Sequence, residues 1–443
     1  MISSVGARAG EGAPGVALLP QAAEWFSQYD GDRNWFYVPS PFVFRIAIPL
    51  PTEVLANAVT AVLSLYDAFT CRFVPVGDGW QQIFGAAPPP TCEQLELPWP
   101  LDGEDWIPGA LRTMLTGDDG PIDIETGRLA RVAVVESMPG VHHLLIICHH
   151  LALDASSWRL IAADLLTFLT DKRLPPRRPP LHDTAAALRS LADAPEVAAE
   201  QAHWLSLGLN AGALPPADRN GVPDRIRDVR ITRRSLGQPE TAALIRTAVR
   251  NGLRPGELLS LAGAVGALDV FDNDVIAVDN TIRGRDLPNV QHLREVVGWL
   301  STYAPFVLHR SARGDEPALF AYARAHMVEL TGRGHSFGLL KYLSSEATTR
   351  ARLSALTKPI ITCNYVGTTD GMATDASVQL VEFAGFDRLD VDSTPSHPLF
   401  ITAEVSRQQM TIQLAYSARR FESTTAEAFL DAVHAFLKRS AEL

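Results

Sequence analysis

The run Leu174-Pro-Pro-Arg-Arg-Pro-Pro-Leu181 constrains this chain more than any other stretch, because it divides the 443 residues into two parts that no helix or strand can bridge. Proline fixes φ and donates no backbone hydrogen bond, so paired prolines leave an extended connector. Patterns on both sides are mixed. Before the break, Leu55, Ala58, Val59, Val62, Leu63 and Tyr66 recur at helical spacing. Arg128–Glu136 alternates, Ser137-Met-Pro-Gly140 turns the chain, and Val141–Cys148 is apolar, which predicts a β-hairpin. A helix is predicted beyond Asp154 from Ile161, Ala162, Leu165, Leu166 and Leu169. After the break, helices are predicted near 239–252, 256–271, 315–331 and 424–439, and strands near 275–280, 304–309, 359–365 and 400–416. The expected class is α/β, in the two-layer α+β sense, with a flexible tail at 1–14 and lobes at 15–178 and 179–443.

A net charge of -11 without a basic face argues against nucleic acid as a partner, while leaving room for a local basic patch that meets an acidic protein. Cys71, Cys92, Cys148 and Cys363 show no framework spacing and read as reduced thiols. No signal peptide is evident, and no apolar run approaches the roughly 20 residues of a membrane span. A cytoplasmic location is expected.

The stretch with chemistry in it is His149-His150-Leu-Ala-Leu-Asp154-Ala155-Ser-Ser157-Trp158, at the end of one predicted strand and the start of a helix. Imidazole titrates near neutrality, so a histidine held at a strand end can take a proton from an attacking amine or hydroxyl. A carboxylate four residues on can fix the loop by pairing with an arginine. An arbitrary His-His pair is most often a surface feature; the Asp, the Ser-Trp and the immediate helix together make that the weaker reading here. His142-His143 and His149-His150 lack the ligand spacing of a zinc site, Asp387, Asp390 and Asp392 lack the closing Glu of a calcium loop, and Ser156 and Ser157 lack a nucleophile elbow. Gly332-Arg-Gly334-His-Ser-Phe-Gly338 follows a helical pattern and lacks the Lys-Ser/Thr of a phosphate loop. Arg225, Arg227, Arg230, Arg233 and Arg234 read as a solvated strand face, with a patch that docks a protein partner as the alternative.

The stretch resembles the His-His-x-x-x-Asp-Gly motif of nonribosomal peptide synthetase condensation domains. The resemblance extends over nearly the whole chain, through Gly15-Val-Ala-Leu-Leu-Pro-Gln21 with Trp25-Phe26, Tyr66-Asp-Ala-Phe69 with Arg72-Phe73, Gly127-Arg-Leu-Ala-Arg131 and His203-Trp204. Ser157-Trp-Arg159, Val297-Gly-Trp-Leu-Ser301 with Tyr303 and Pro305, Gly334-His-Ser-Phe-Gly-Leu-Leu-Lys-Tyr342 and Cys363-Asn-Tyr-Val-Gly367 are similar to the epimerisation branch of the superfamily. Where that branch carries the Glu of an E-G-H-G-R-E motif, this chain reads Thr281-Ile-Arg-Gly-Arg-Asp286. It also has Ala155 for the motif's Gly and Thr70 for an Arg.

The resemblance implies two lobes, each like a chloramphenicol acetyltransferase subunit, forming a V-shaped pseudo-dimer with a tunnel between them. It implies His150 as catalytic base or orienting group and His149, Asp154, Ala155, Ser157 and Trp158 as motif support. Arg285 is the expected partner of Asp154, and Thr281, Trp299, Ser301, His335 and Asn364 are the expected channel residues. No tightly bound cofactor and no metal are implied; the phosphopantetheine arms of acyl or peptidyl carrier proteins tether the substrates. The activity expected is that of a free-standing condensation-type acyltransferase in nonribosomal peptide or hybrid polyketide biosynthesis, joining a carrier-bound acyl or aminoacyl thioester to an amine or alcohol. Epimerisation of a carrier-bound thioester is the alternative, and a catalytically silent recruitment module of the same fold is a third.

Overall fold

A computed structural model of the chain describes residues 16–27, 41–77, 79–98, 101, 103–116, 122–219, 224–287, 290–368, 377–381 and 394–443. The tail expected at 1–14, Gly15 and the acidic loop Asp387–Asp392 lie outside these residues.

The first half builds a sheet from β1 (Phe42–Ile46), β2 (Cys92–Gln94), β3 (Ala130–Met138) and β4 (Val141–Cys148). Strand order is β1-β4-β3-β2, and the turn at Pro139-Gly140 makes β3 and β4 the predicted hairpin. Alternate side chains face opposite ways along each strand. Ile46, Val132, Val134, Leu144 and Ile146 belong to the main core with helices α1 (Pro20–Ser27), α2 (Thr52–Leu63), α4 (Ala155–Asp171) and α5 (Leu181–Ala192). Val43, Ala133, Val135, Leu145 and Ile147 face α3 (Ile107–Thr116) on the other side. With both faces covered, these strands are nearly continuous in apolar residues.

The second sheet has six strands, all drawn from beyond the proline break: β5 (Val229–Leu236), β6 (Val275–Ile282), β7 (Thr302–His309), β8 (Ile361–Thr368), β9 (Leu399–Ser406) and β10 (Gln409–Ser417). Their order is β7-β6-β8-β9-β10-β5. One face is largely apolar: Val278, Ala304, Phe306, Ile361, Ile401 and Leu414 pack with α6 (Gln238–Arg250), α7 (Pro255–Val270), α8 (Glu316–Gly338) and α9 (Ser423–Ala441), and the buried Asn280 among them accepts from the Ser260 hydroxyl of α7 at 2.8 Å. The strand registers place Asp279, Thr281, Tyr303, Thr362, Asn364, Thr402 and Gln413 on the opposite face. Most of these are only half-buried, so this is the open, polar face of the lobe.

A short strand at Val378–Leu380 leaves the second half and pairs antiparallel with β1, so the first sheet is completed by the second half of the chain. The edge strand β7 is protected against strand addition. Pro305 occupies the outward-facing register shared with Val307, where no N–H is needed, and the Tyr322 hydroxyl donates to the Val307 carbonyl at 3.0 Å.

Three expectations are corrected locally. The helix predicted to end near 331 runs to Gly338, because its glycines allow close packing: a Cβ on Gly334 would lie 2.1 Å from Ile282 Cδ1, and one on Gly338 3.0 Å from Thr302 Oγ1. The single run 400–416 is two strands, turned at Arg407-Gln408 with φ of 48° and 63°. Arg225 and Arg227 precede β5, flanking and within a 3₁₀ turn, leaving Arg230 and Arg233 exposed on the strand and Arg234 paired to Asp431. Among the described residues no helix is long and apolar enough to cross a membrane.

Candidate active site

Strand β4 ends at Cys148, and the His149 N–H still reaches the Leu129 carbonyl at 2.8 Å, so the loop begins from a fixed point. His149 is fully buried; its Nδ1 accepts from the Leu151 N–H at 3.1 Å, and Trp25 meets its ring edge-on at 5.3 Å between centroids. These contacts fix its ring within the loop. His150 is half-buried and turned the other way. Its ring stacks on Trp299 at 4.1 Å and 26°. Its Nδ1 lies 2.8 Å from the Leu153 carbonyl oxygen. A carbonyl only accepts, so Nδ1 carries the proton and the basic lone pair is on Nε2. Burial pushes the imidazole below its ordinary range, against opposing hydrogen bonds and the Asp154 charge, so the ring is neutral at pH 7.

Asp154 caps α4 and closes the loop. Its Oδ1 accepts from the Ser157 N–H and hydroxyl, each at 3.1 Å. Its Oδ2 accepts from Arg285 Nη1 at 2.5 Å and from the backbone N–H groups of Leu300 and Ser301 at 3.0 and 3.1 Å. Arg285, only 2% exposed, donates through Nη2 to Ser157 Oγ and to the Val296 and Gly298 carbonyls. Ser157 Oγ also bonds the Gly298 backbone. One carboxylate thereby holds the start of α4 and two segments of the second half together. Ala155 opens the helix as an exposed residue without positive φ, which is why it can stand where the motif has Gly. Trp158 is buried against Phe42, at 4.3 Å between rings.

Trp299 leads from this clamp to the open face of the second sheet. Its Nε1 donates to Ser301 Oγ at 2.9 Å, and β7 begins one residue later. Tyr303 on β7 pairs across to Thr281 on β6. The Thr281 hydroxyl is sealed from solvent and finds no hydrogen-bond partner among the described residues. Asn364, on β8, shares this face. The structure thus joins His150, Trp299 and Ser301 directly and sets Thr281 and Asn364 on the adjoining surface. No cluster able to hold a metal occurs among the described residues.

The condensation-domain family model matches residues 20–443. The chain belongs to this family. Bacitracin synthase 3 of Bacillus licheniformis is 24% identical over 439 residues, which cover 96% of this chain and 7% of that protein. The epimerization domain from the third module of tyrocidine synthetase B superposes with a TM-score of 0.83 at 20% identity, covering 99% of this chain and 98% of that one. The condensation domain of the Monacolin K polyketide synthase superposes with a TM-score of 0.74 at 15% identity, over 97% and 98% of the two chains. The two mixed lobes are therefore those of the chloramphenicol acetyltransferase-like fold.

One expected channel residue of this condensation domain lies elsewhere. His335 is on α8, which packs through Gly334 on Ile282 and Ala304, the apolar side of the sheet. It is buried there, and burial lowers its pKa to about 4. The helix register, hidden by three glycines, turns it away from Thr281. Conversely, Asp279 and His397, which no motif marks, form a buried pair at 2.9 Å on the open face. A charged residue inside the apolar run Val275–Ile282 was the available signal.

Proposed function

We propose that this condensation domain joins a carrier-bound acyl or aminoacyl thioester to an amine or alcohol, with His150 as the base. The observation that carries the reading is the Nδ1–Leu153 hydrogen bond, which puts the basic lone pair of a neutral imidazole on Nε2. In this reading Nε2 accepts the proton of the nucleophile as it attacks the thioester carbonyl. The tetrahedral adduct then expels the thiolate, and the proton returns from Nε2 to sulfur. The phosphopantetheine arm of an acyl or peptidyl carrier protein is the substrate tether and no other cofactor is required. Holding both reactants in place supplies much of the rate, up to roughly 7–11 kcal/mol for oriented attack. Asp154 transfers no proton, since both its oxygens are committed to donors.

Epimerisation is the second reading, favoured by the superposition on the tyrocidine epimerization domain and by the epimerisation-like motifs. It stands against Thr281, whose hydroxyl does not exchange protons near neutrality and replaces the carboxylate on the far side. The test is acceptor-dependent release of carrier thiol from an acyl-loaded carrier, with mass spectrometry of the new amide or ester. Release that requires both His150 and an acceptor supports condensation; no acceptor effect across amines and alcohols contradicts it.

A further inference from the structure

Asp279 sits on β6 two residues before Thr281, so both side chains leave the same face about 6.8 Å apart. The Asp279 side chain is 4% exposed and its Oδ2 lies 2.9 Å from His397 Nε2. His397 Nδ1 lies 3.3 Å from the Ser396 hydroxyl, and its ring meets Tyr303 edge-on at 5.1 Å. A neutral imidazole fits both contacts, donating from Nε2 and accepting at Nδ1. Burial holds the His397 imidazole below its ordinary range, which favours this neutral ring.

Two cations lie near the pair without bonding Asp279, Lys341 being close enough to feel its charge. Lys358 pairs with Glu24 at 3.0 Å and donates to the Ser396 carbonyl, and the Lys341 ammonium lies over the Phe337 and Tyr342 rings at 5.5 and 5.2 Å. Among the described residues Asp279 Oδ1 has no donor, and a few ångströms along the strand the Thr281 hydroxyl has none either. Of the two groups only the sealed Thr281 hydroxyl is buried without a partner among the described residues, while the Asp279 oxygen left open to this face is one that a cationic group can pair with.

We infer that Asp279, oriented by His397, is an anionic subsite that recognises the protonated amine of an aminoacyl substrate lying on this face, with Thr281 as its polar neighbour. This rests on the condensation reading and narrows it, choosing an amine-bearing substrate over a hydroxyacyl one.

The test uses the full chain and three non-hydrolysable pantetheine amides at pH 7, carrying alanyl, lactyl or N-acetylalanyl groups, with binding measured by calorimetry. The wild type is expected to bind the alanyl compound at least about tenfold more tightly than the other two, the scale of one charged hydrogen bond. Asp279→Asn is expected to bring the three to within about twofold, leaving lactyl binding unchanged. Equal binding of the three compounds by the wild type overturns the inference, and that comparison needs no variant to fold. Retention of the preference by a folded Asp279→Asn protein overturns it equally. Because binding is read without turnover, failure of the acyl-transfer assay and failure of this subsite are separate results.

Discussion

His149, His150, Asp154 and Ser157 fall within one loop and one helix start, yet each side chain is held by a different partner. His149 and His150 are adjacent in sequence, yet one is fixed by a backbone N–H and the other by a carbonyl, so their tautomers are opposite. His150→Ala is expected to lower acyl transfer by about 10²–10⁴-fold, the usual contribution of a general base, with the melting temperature unchanged. Measurable full activity contradicts the assignment. Asp154→Ala acts differently. It leaves Arg285 buried without its carboxylate, which costs roughly 3–5 kcal/mol. Denaturant titration should show that loss, and an Asp154→Ala protein as stable as the wild type contradicts the clamp.

At the scale of elements, the hairpin and most helices were readable from periodicity and turn chemistry. The errors came where packing overrides local signals. The glycines near the end of α8 look like a break, yet Gly334 and Gly338 are places where the helix touches the sheet. Arg407-Gln408 carries none of the usual turn residues, and only the β9–β10 pairing reveals the hairpin. Asp279 reads as an anomaly in a buried strand until the register shows its face. Gly284 links β6 to Arg285 with φ of 71°, and a Cβ there would lie 1.7 Å from the Leu300 carbonyl oxygen. Gly284→Ala is therefore expected to displace the segment that brings Leu300 and Ser301 to Asp154. Both stability and acyl transfer should fall, by at least about 1–3 kcal/mol in denaturant titration. Wild-type stability in that variant contradicts the close approach.

At the scale of the whole molecule, the proline break marks a change of sheet, but the return of Val378–Leu380 to β1 was invisible because a three-residue edge strand has too little pattern to register. The lobes also share a dependence on pH. Burial lowers the pKa of His143 in one and His335 in the other to about 4, from an ordinary 6.5. The unfolded chain then binds more protons than the folded one below that ordinary value. Stability should be fully present above pH 6.5 and decline as pH falls toward 4; a melting temperature flat over that interval contradicts the burial of these rings. The central claim is that one base, His150, serves this domain and that no second proton donor stands at Thr281. Epimerisation removes a proton from one side of the α-carbon and returns one to the other, so it leaves a label that condensation does not. The direct measurement is incubation with an aminoacyl-loaded carrier in deuterated water, without an acceptor, followed by mass spectrometry of the released amino acid. No deuterium at the α-carbon above the uncatalysed rate is predicted; rapid α-deuteration lost in His150→Ala contradicts the account and makes the protein an epimerase.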